Sequence, residues 1–252
     1  MGLPRHTRAL CACLCAAALC APAGATQDTV DPSTELRAAA RRALGLDGPP
    51  TTVQLSGRTM KHGLPARFRW TLAAEGPFLQ ELQGPFPESR GFDGREAWSL
   101  EGRAPAHPLV FLERERLLTC AWLVSGAWTC LDSPFELTAL EADVPGTRRL
   151  RLRLVDGLLT GTLILEEPSL LPRAFHFDAD FGGGLLRLED WKAEAKPALP
   201  GRITLAPAQG SPDRFEVESA GRSWPCTGRC PTCARASRAA RAGSASTRAP
   251  AS

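Results

Sequence analysis

Hydrophobic residues are spaced in two ways along this chain, and the changes of spacing mark its elements. In DPSTELRAAARRALG, from Asp31 to Gly45, Leu36, Ala40, Ala43 and Leu44 recur at helical intervals and form one apolar stripe. The flanking residues agree: Asp31 or Ser33 suits the cap, Pro32 the first turn, Glu35 the N-terminal dipole, Arg41 and Arg42 the C-terminal end, and Gly45 the stop. After Pro49-Pro50 the period shortens to two. TVQLSGRTM, ARFRWTLAA and GPFLQELQG alternate, with Phe68, Trp70 and Leu72 on one face and Arg67 and Arg69 on the other. FDGREAWSL then follows a turn at Gly91 to Gly94 in which Asp93 serves the turn. Alternation places Glu96, Trp98 and Leu100 together there, and the bulk of the last two predicts that Trp98 points inward.

The helical period returns after His107-Pro108, where Leu109, Leu112, Arg116 and Leu117 share a side and Gly126 ends the run. Strict alternation resumes in RRLRLRLVDG, with Leu150, Leu152 and Leu154 opposite Arg149, Arg151 and Arg153. Asp156-Gly157 is a hairpin signal leading into LLTGTLILEE. RAFHFDADFG, GLLRLEDWKAEA, GRITLAPA and RFEVESAG complete the series. The order is helix, about four strands, helix, then six or so strands. Hairpin-length turns make this an α+β fold with one antiparallel meander. A sheet that long curls, so the expected architecture is a half-barrel with both helices packed on its concave face.

The two ends differ from this body. MGLPRHTR followed by ALCACLCAAALCAPA and a small-residue AGA reads as a secretory signal over 1–25, cleaved near Ala25. The apolar run is shorter than the roughly 20 residues that a membrane span needs. A periplasmic or secreted location follows, with no transmembrane segment expected in the mature chain. From Gly221 onward the sequence is rich in arginine, alanine, serine and cysteine and holds no acid, so 221–252 is expected to be a disordered tail. Eight of the 30 basic residues fall in the two ends and none of the 27 acidic ones does, so the chain's net +3 becomes −5 for the domain 26–220.

Candidate chemistry is sparse. His62, His107 and His176 do not sit at ligand spacing with one another or with cysteine, so no metal and no cofactor is expected. CTGRCPTC in the tail offers three cysteines without a histidine, and CPTC lacks the strand-helix setting of a redox pair. The arginines of the tail lack the interleaved aromatics of a nucleic-acid surface. No nucleophile elbow, phosphate loop or dinucleotide fingerprint is present. The carboxylate pairs Glu166-Glu167 and Glu189-Asp190 lie at strand ends, where solvation explains them. The expectation is therefore a protein that is not an enzyme. Cys120 and Cys130 are candidates for a disulfide in an oxidising compartment, worth about 2–3 kcal/mol.

FDGREAW, WLVSGAW, VDGLLTGTLILEEPSLLPRAF and LEDWKAEAKPALPGRITL, in that order, resemble the LolA-like, outer-membrane-lipoprotein-sorting type of domain over roughly Leu36 to Val217. Asp156, Gly157, Leu171 and Pro172, and Trp191 with Leu199 to Ile203, carry the most distinctive matches. The resemblance implies an apolar cavity between curved sheet and helices that holds lipid acyl chains or a lipidated protein. Phe68, Trp70, Phe78, Trp98, Leu117 and Trp191 are the expected lining. The chain also looks like the domain that precedes a retropepsin-like aspartic protease in exported bacterial proteins. Neither DTV at Asp28 nor DSP at Asp132 supplies that protease's loop. The alternative function is then an accessory or docking domain that meets an envelope protein.

Overall fold

The computed structural model describes residues 31–47, 52–73, 76–130 and 132–223. The expected signal peptide and the cysteines of the tail lie outside them. Helix α1 spans Pro32–Ala43, and α2 spans Phe111–Ser125 with a 3-10 turn, Ala127–Thr129, behind it. Before α2 come β1 (Thr52–Lys61), β2 (Leu64–Ala73), β3 (Phe78–Gln83), β4 (Glu88–Phe92), β5 (Ala97–Glu101) and β6 (His107–Pro108). After it come β7 (Phe135–Leu140), β8 (Thr147–Leu154), β9 (Thr160–Glu166), β10 (Leu171–Phe177), β11 (Leu185–Glu189), β12 (Arg202–Ala206) and β13 (Asp213–Ser223). The last strand thus runs past the expected domain boundary at Ala220.

All strand pairs are antiparallel, in one sheet of 13 strands ordered β6-β5-β4-β3-β2-β1-β13-β12-β11-β10-β9-β8-β7. Among the described residues six strands precede α2 and seven follow it, more than the sequence suggests. The sheet is also two meanders, joined where β1 pairs with β13, and not a single run. A bulge at Ser56/Gly57 marks the join, where a Cβ on Gly57 would sit 1.9 Å from the Glu216 carbonyl oxygen. Glycine is the residue that allows the two strands to approach there.

Flat, such a sheet would be about 60 Å wide, while α2 is only about 22 Å long. Yet one apolar cluster contains Val53, Phe68 and Trp70 of the first meander, Leu150, Leu163 and Phe175 of the second, and Leu118, Leu123 and Trp128 of the helical layer. Only a sheet curled around its helices brings these together.

Antiparallel pairing sorts the turns into two ends. One end, the α1 rim, carries turns 93–96, 141–146, 167–170 and 190–201, with α1 bound there as Ala198 N–H donates to Leu44 O at 2.9 Å. The opposite end, the far rim, carries turns 62–63, 84–87, 102–106, 155–159, 178–184 and 207–212. Helix α2 runs between them inside the curve. The buried Glu115 carboxylate accepts the N–H groups of Leu158 and Leu159 at 3.0 and 2.7 Å, and Arg116 lies over the Phe177 ring at 4.7 Å. Six residues on, Trp122 Nε1–H donates to Gly76 O at 3.1 Å. Gly126 closes the helix in the left-handed conformation, φ 78°, as its position in the sequence suggests.

Two expectations are corrected. Trp98 does not face the helices: Ala97 and Ser99 do, both 1% exposed. Trp98 is buried on the outer face with Leu79 and Ala106, and its ring lies over Gly91, where a Cβ would be 2.6 Å away. Because α2 packs directly on β5, only small side chains fit beneath it. Gly91 itself belongs to β4, and the turn lies at 93–96, with Asp93 Oδ1 accepting N–H from Arg95 and Glu96 at 2.9 Å each. Cys120 and Cys130 are free thiols. Cys120 is turned into the core from α2, and burial pushes its thiol up to about 12 against the opposing pull of Arg116. The Cys130 sulfur instead accepts a hydrogen bond from Arg41 at 3.3 Å.

Candidate functional site

Phe68, Trp70 and Phe78, on β2 and β3, and Leu117, on α2, face the interior as the alternation suggests, and each is buried in the main core cluster. Phe68 and Trp70 pack with Phe215, ring centres 4.9 to 5.5 Å apart, which fills the space between β2 and β13 with aromatic carbon. Trp191 is half-buried at the α1 rim, its Nε1–H donating to Pro172 O at 2.8 Å. Phe68, Trp70, Phe78 and Leu117 form packed interior, Trp98 lies on the other side of the sheet, and Trp191 edges the core.

An accessible space lies beside them, at the α1 rim. A groove of about 700 Å³ runs between α1 and the ends of β7, β8 and the β9-β10 turn. Leu36 and Ala39 line it from the helix, and Ala139, Leu140 and Leu170 from the sheet side. Sequence periodicity accounts for the helix wall: Ala40 and Leu44 of the apolar stripe turn fully into the core, which leaves Leu36 and Ala39 half-buried at its border. The opposite wall depends on two turns that fasten each other, as Glu167 N–H donates to Gly146 O at 2.8 Å. Leu170 adopts φ 55°, a left-handed conformation that costs a branched residue on the order of 1 kcal/mol, and its N–H is held by Glu166 O at 2.6 Å.

The rim of the groove is charged and balanced. Arg148 Nε is paired with Glu167 Oε1 at 2.5 Å, and Arg149 Nη1 with Asp143 Oδ2 at 2.5 Å, while Glu35 stands on the helix side. An apolar floor inside a ring of charge suits an amphiphile whose chain is buried and whose polar end stays in water. Among the described residues no cluster of histidine, cysteine, aspartate and glutamate is arranged to hold a metal ion, and no helix is long and apolar enough to cross a membrane. Sequence reasoning missed this groove, because its wall residues come from α1, β7 and the 167–170 turn, far apart in the chain. The one available signal was the EEPSLLP turn, which entered the family resemblance without being read as a wall.

No protein-family model matches the sequence, and no curated protein does. Solved structures do. A LolA superfamily protein from Nitrosomonas europaea aligns over 75% of this chain and 94% of its own, with TM-score 0.53 and 14% identity. A putative outer membrane lipoprotein-sorting protein domain from Vibrio parahaemolyticus aligns over 76% and 92%, with TM-score 0.53 and 10% identity. A DUF1329 family protein from Desulfovibrio piger aligns over 78% and 95%, again with TM-score 0.53 and 10% identity. The likeness takes in most of this chain and nearly all of each of the others, and at such identities it speaks to architecture: this chain has the LolA-type fold.

Proposed function

We propose that the chain is an exported, non-enzymatic binding domain that holds an acyl chain, of a lipid or of a lipidated protein, in the groove between α1 and the sheet. The observation that carries this is the groove itself, an apolar-floored space of about 700 Å³ with a charged rim. Two further points support it. One similar structure is described as an outer membrane lipoprotein-sorting domain, and the N-terminal residues have the pattern of an export signal. Burial of about ten methylenes yields roughly 8 kcal/mol, from which the costs of association are subtracted, so such a ligand is held weakly enough to be released.

The test is mass spectrometry of an organic extract of the protein purified from a bacterial periplasm. A stoichiometric acyl species is expected, and Ala39→Trp, which fills the groove from a half-buried position, is expected to abolish it while leaving the fold intact. A protein that carries no lipid, and takes up no apolar dye, would sink the proposal.

A further inference from the structure

Exposed large apolar side chains are concentrated at the end of the molecule away from the groove. Met60 and Leu64, 52% and 42% exposed, flank the β1-β2 turn, and Phe86, 50% exposed, sits on the β3-β4 turn against His62. Val155 and Leu158, 49% and 73% exposed, occupy the β8-β9 turn. Phe111, 83% exposed, opens α2 one helical turn ahead of Glu115, whose carboxylate is bonded to that same β8-β9 turn. The α1 rim by comparison shows Leu140 and Val144. Phe111 is also held at φ 47°, a backbone conformation that a bulky residue rarely adopts and that its surroundings must hold in place.

The same rim has a second feature. A pocket of about 590 Å³ is lined by Arg58, Arg67 and Arg214, with Gln83, and with Met60 and Pro65 as apolar wall. One carboxylate, Glu216, lies in the lining. A second, Glu218, is gripped from both sides, by Arg58 Nε at 2.5 Å and by Arg67 Nη2 at 3.0 Å. Two guanidinium groups converging on one anion make a seat that an external phosphate can share or take over, because both arginines are about two-thirds exposed. Arg214 has its backbone carbonyl fixed by Thr59 Oγ1–H at 2.6 Å, which places a third guanidinium at the same pocket.

We propose that the far rim docks on an anionic bilayer, with Phe111, Leu158, Phe86 and Met60 entering the interfacial layer and the pocket of Arg58, Arg67 and Arg214 receiving a lipid phosphate. Apolar side chains on separate hairpin tips, without a groove between them, suit a fluid planar partner better than a peptide. The basic pocket makes the planar partner an anionic one. This goes beyond the acyl-binding reading and does not depend on it, since none of these residues lines the groove.

Vesicle flotation of the secreted protein tests it, with vesicles of phosphatidylcholine alone or mixed with phosphatidylglycerol. The protein is expected to float with the mixed vesicles and to lose binding about fivefold for each arginine neutralised in Arg58→Gln and Arg214→Gln, the worth of one basic residue near such a surface. Phe111→Asn with Leu158→Asn is expected to weaken flotation at least as much, whereas Val144→Asn, on the other rim, leaves it unchanged. All variants retain the arginine-rich residues after Ser223, so their contribution cancels. Absence of flotation, or equal flotation of the parent and the rim variants, overturns the proposal. Either result leaves the extraction experiment on the groove unaffected.

Discussion

At the scale of single residues, Trp98 and Cys120 show how far side-chain chemistry is legible in a sequence and where it stops. A tryptophan in a strand is expected to face the core, and Trp98 is indeed buried, at 4% exposure, but on the other side of the sheet. What decides its direction is the approach of α2 to Ala97 and Ser99, a fact about a partner element that β5 does not encode. Cys120, read from the sequence as half of a disulfide, is instead a free thiol turned into the core from α2, and its environment has a measurable consequence. A thiol whose folded pKa is raised keeps its proton in the native state after the unfolded chain has lost it. The stability it contributes is therefore complete below the ordinary thiol range, near 9, and is lost as pH climbs from there toward about 12. Denaturant melts at successive alkaline pH values are expected to show a decline of up to about 1.4 kcal/mol per pH unit from this group, and Cys120→Ala is expected to flatten the profile by that amount. An unchanged alkaline slope in the variant would contradict the assignment.

Among the elements, α2 was the most legible and β4 the least. Leu109, Leu112 and Leu117 announce α2 in the sequence and Gly126 ends it where a left-handed residue is required, while Leu118, Leu123 and Val124 on its other sides are buried as well. Strand β4, Glu88–Phe92, escaped notice because it turns Glu88 and Arg90 toward the inside, where Glu88 is held by Lys61 at 3.1 Å and by Arg90. An inward ion pair removes the alternation that identifies a strand. What fastens α2 was equally invisible: Glu115 reads as one more surface charge in FLERER, yet it is 8% exposed and satisfies two backbone N–H groups of the β8-β9 turn. Glu115→Ala leaves the buried Leu159 N–H without its acceptor and is expected to cost about 3 kcal/mol in a denaturation midpoint. Glu115→Gln, which keeps an oxygen in place, should recover much of that loss. Equal stability of the alanine variant and the parent would show that the latch contributes nothing.

Viewed whole, the molecule has two unlike ends, and neither could be assigned from the sequence. Periodicity predicts an α+β half-barrel with helices inside, and the sheet, the two helices and the LolA-type architecture agree with that. The groove and the far rim are assembled from turns on six or more connections, and turns carry no periodic signal of where they meet. The join between the meanders belongs to this scale as well. Strands β1 and β13 are long and central and bury Val53, Leu55, Phe215 and Val217 between them and the helices. They should open last. Hydrogen exchange is expected to be slowest in β1 and β13 and fastest in β6 and β7, the two edges, and early exchange in β1 would rule out the join as the most stable part of the fold.

That join also has a meaning in time. Ser56 meets Ser219, 163 residues further along the chain, which at ordinary rates of synthesis are made roughly ten to thirty seconds apart. Until the last strand arrives, the first has one finished neighbour and one bare row of amides, so a nascent chain can assemble each meander but cannot close either against the other. Completion waits for β13: loss of Asp213–Ser223 would leave the molecule not slightly shorter but without its centre.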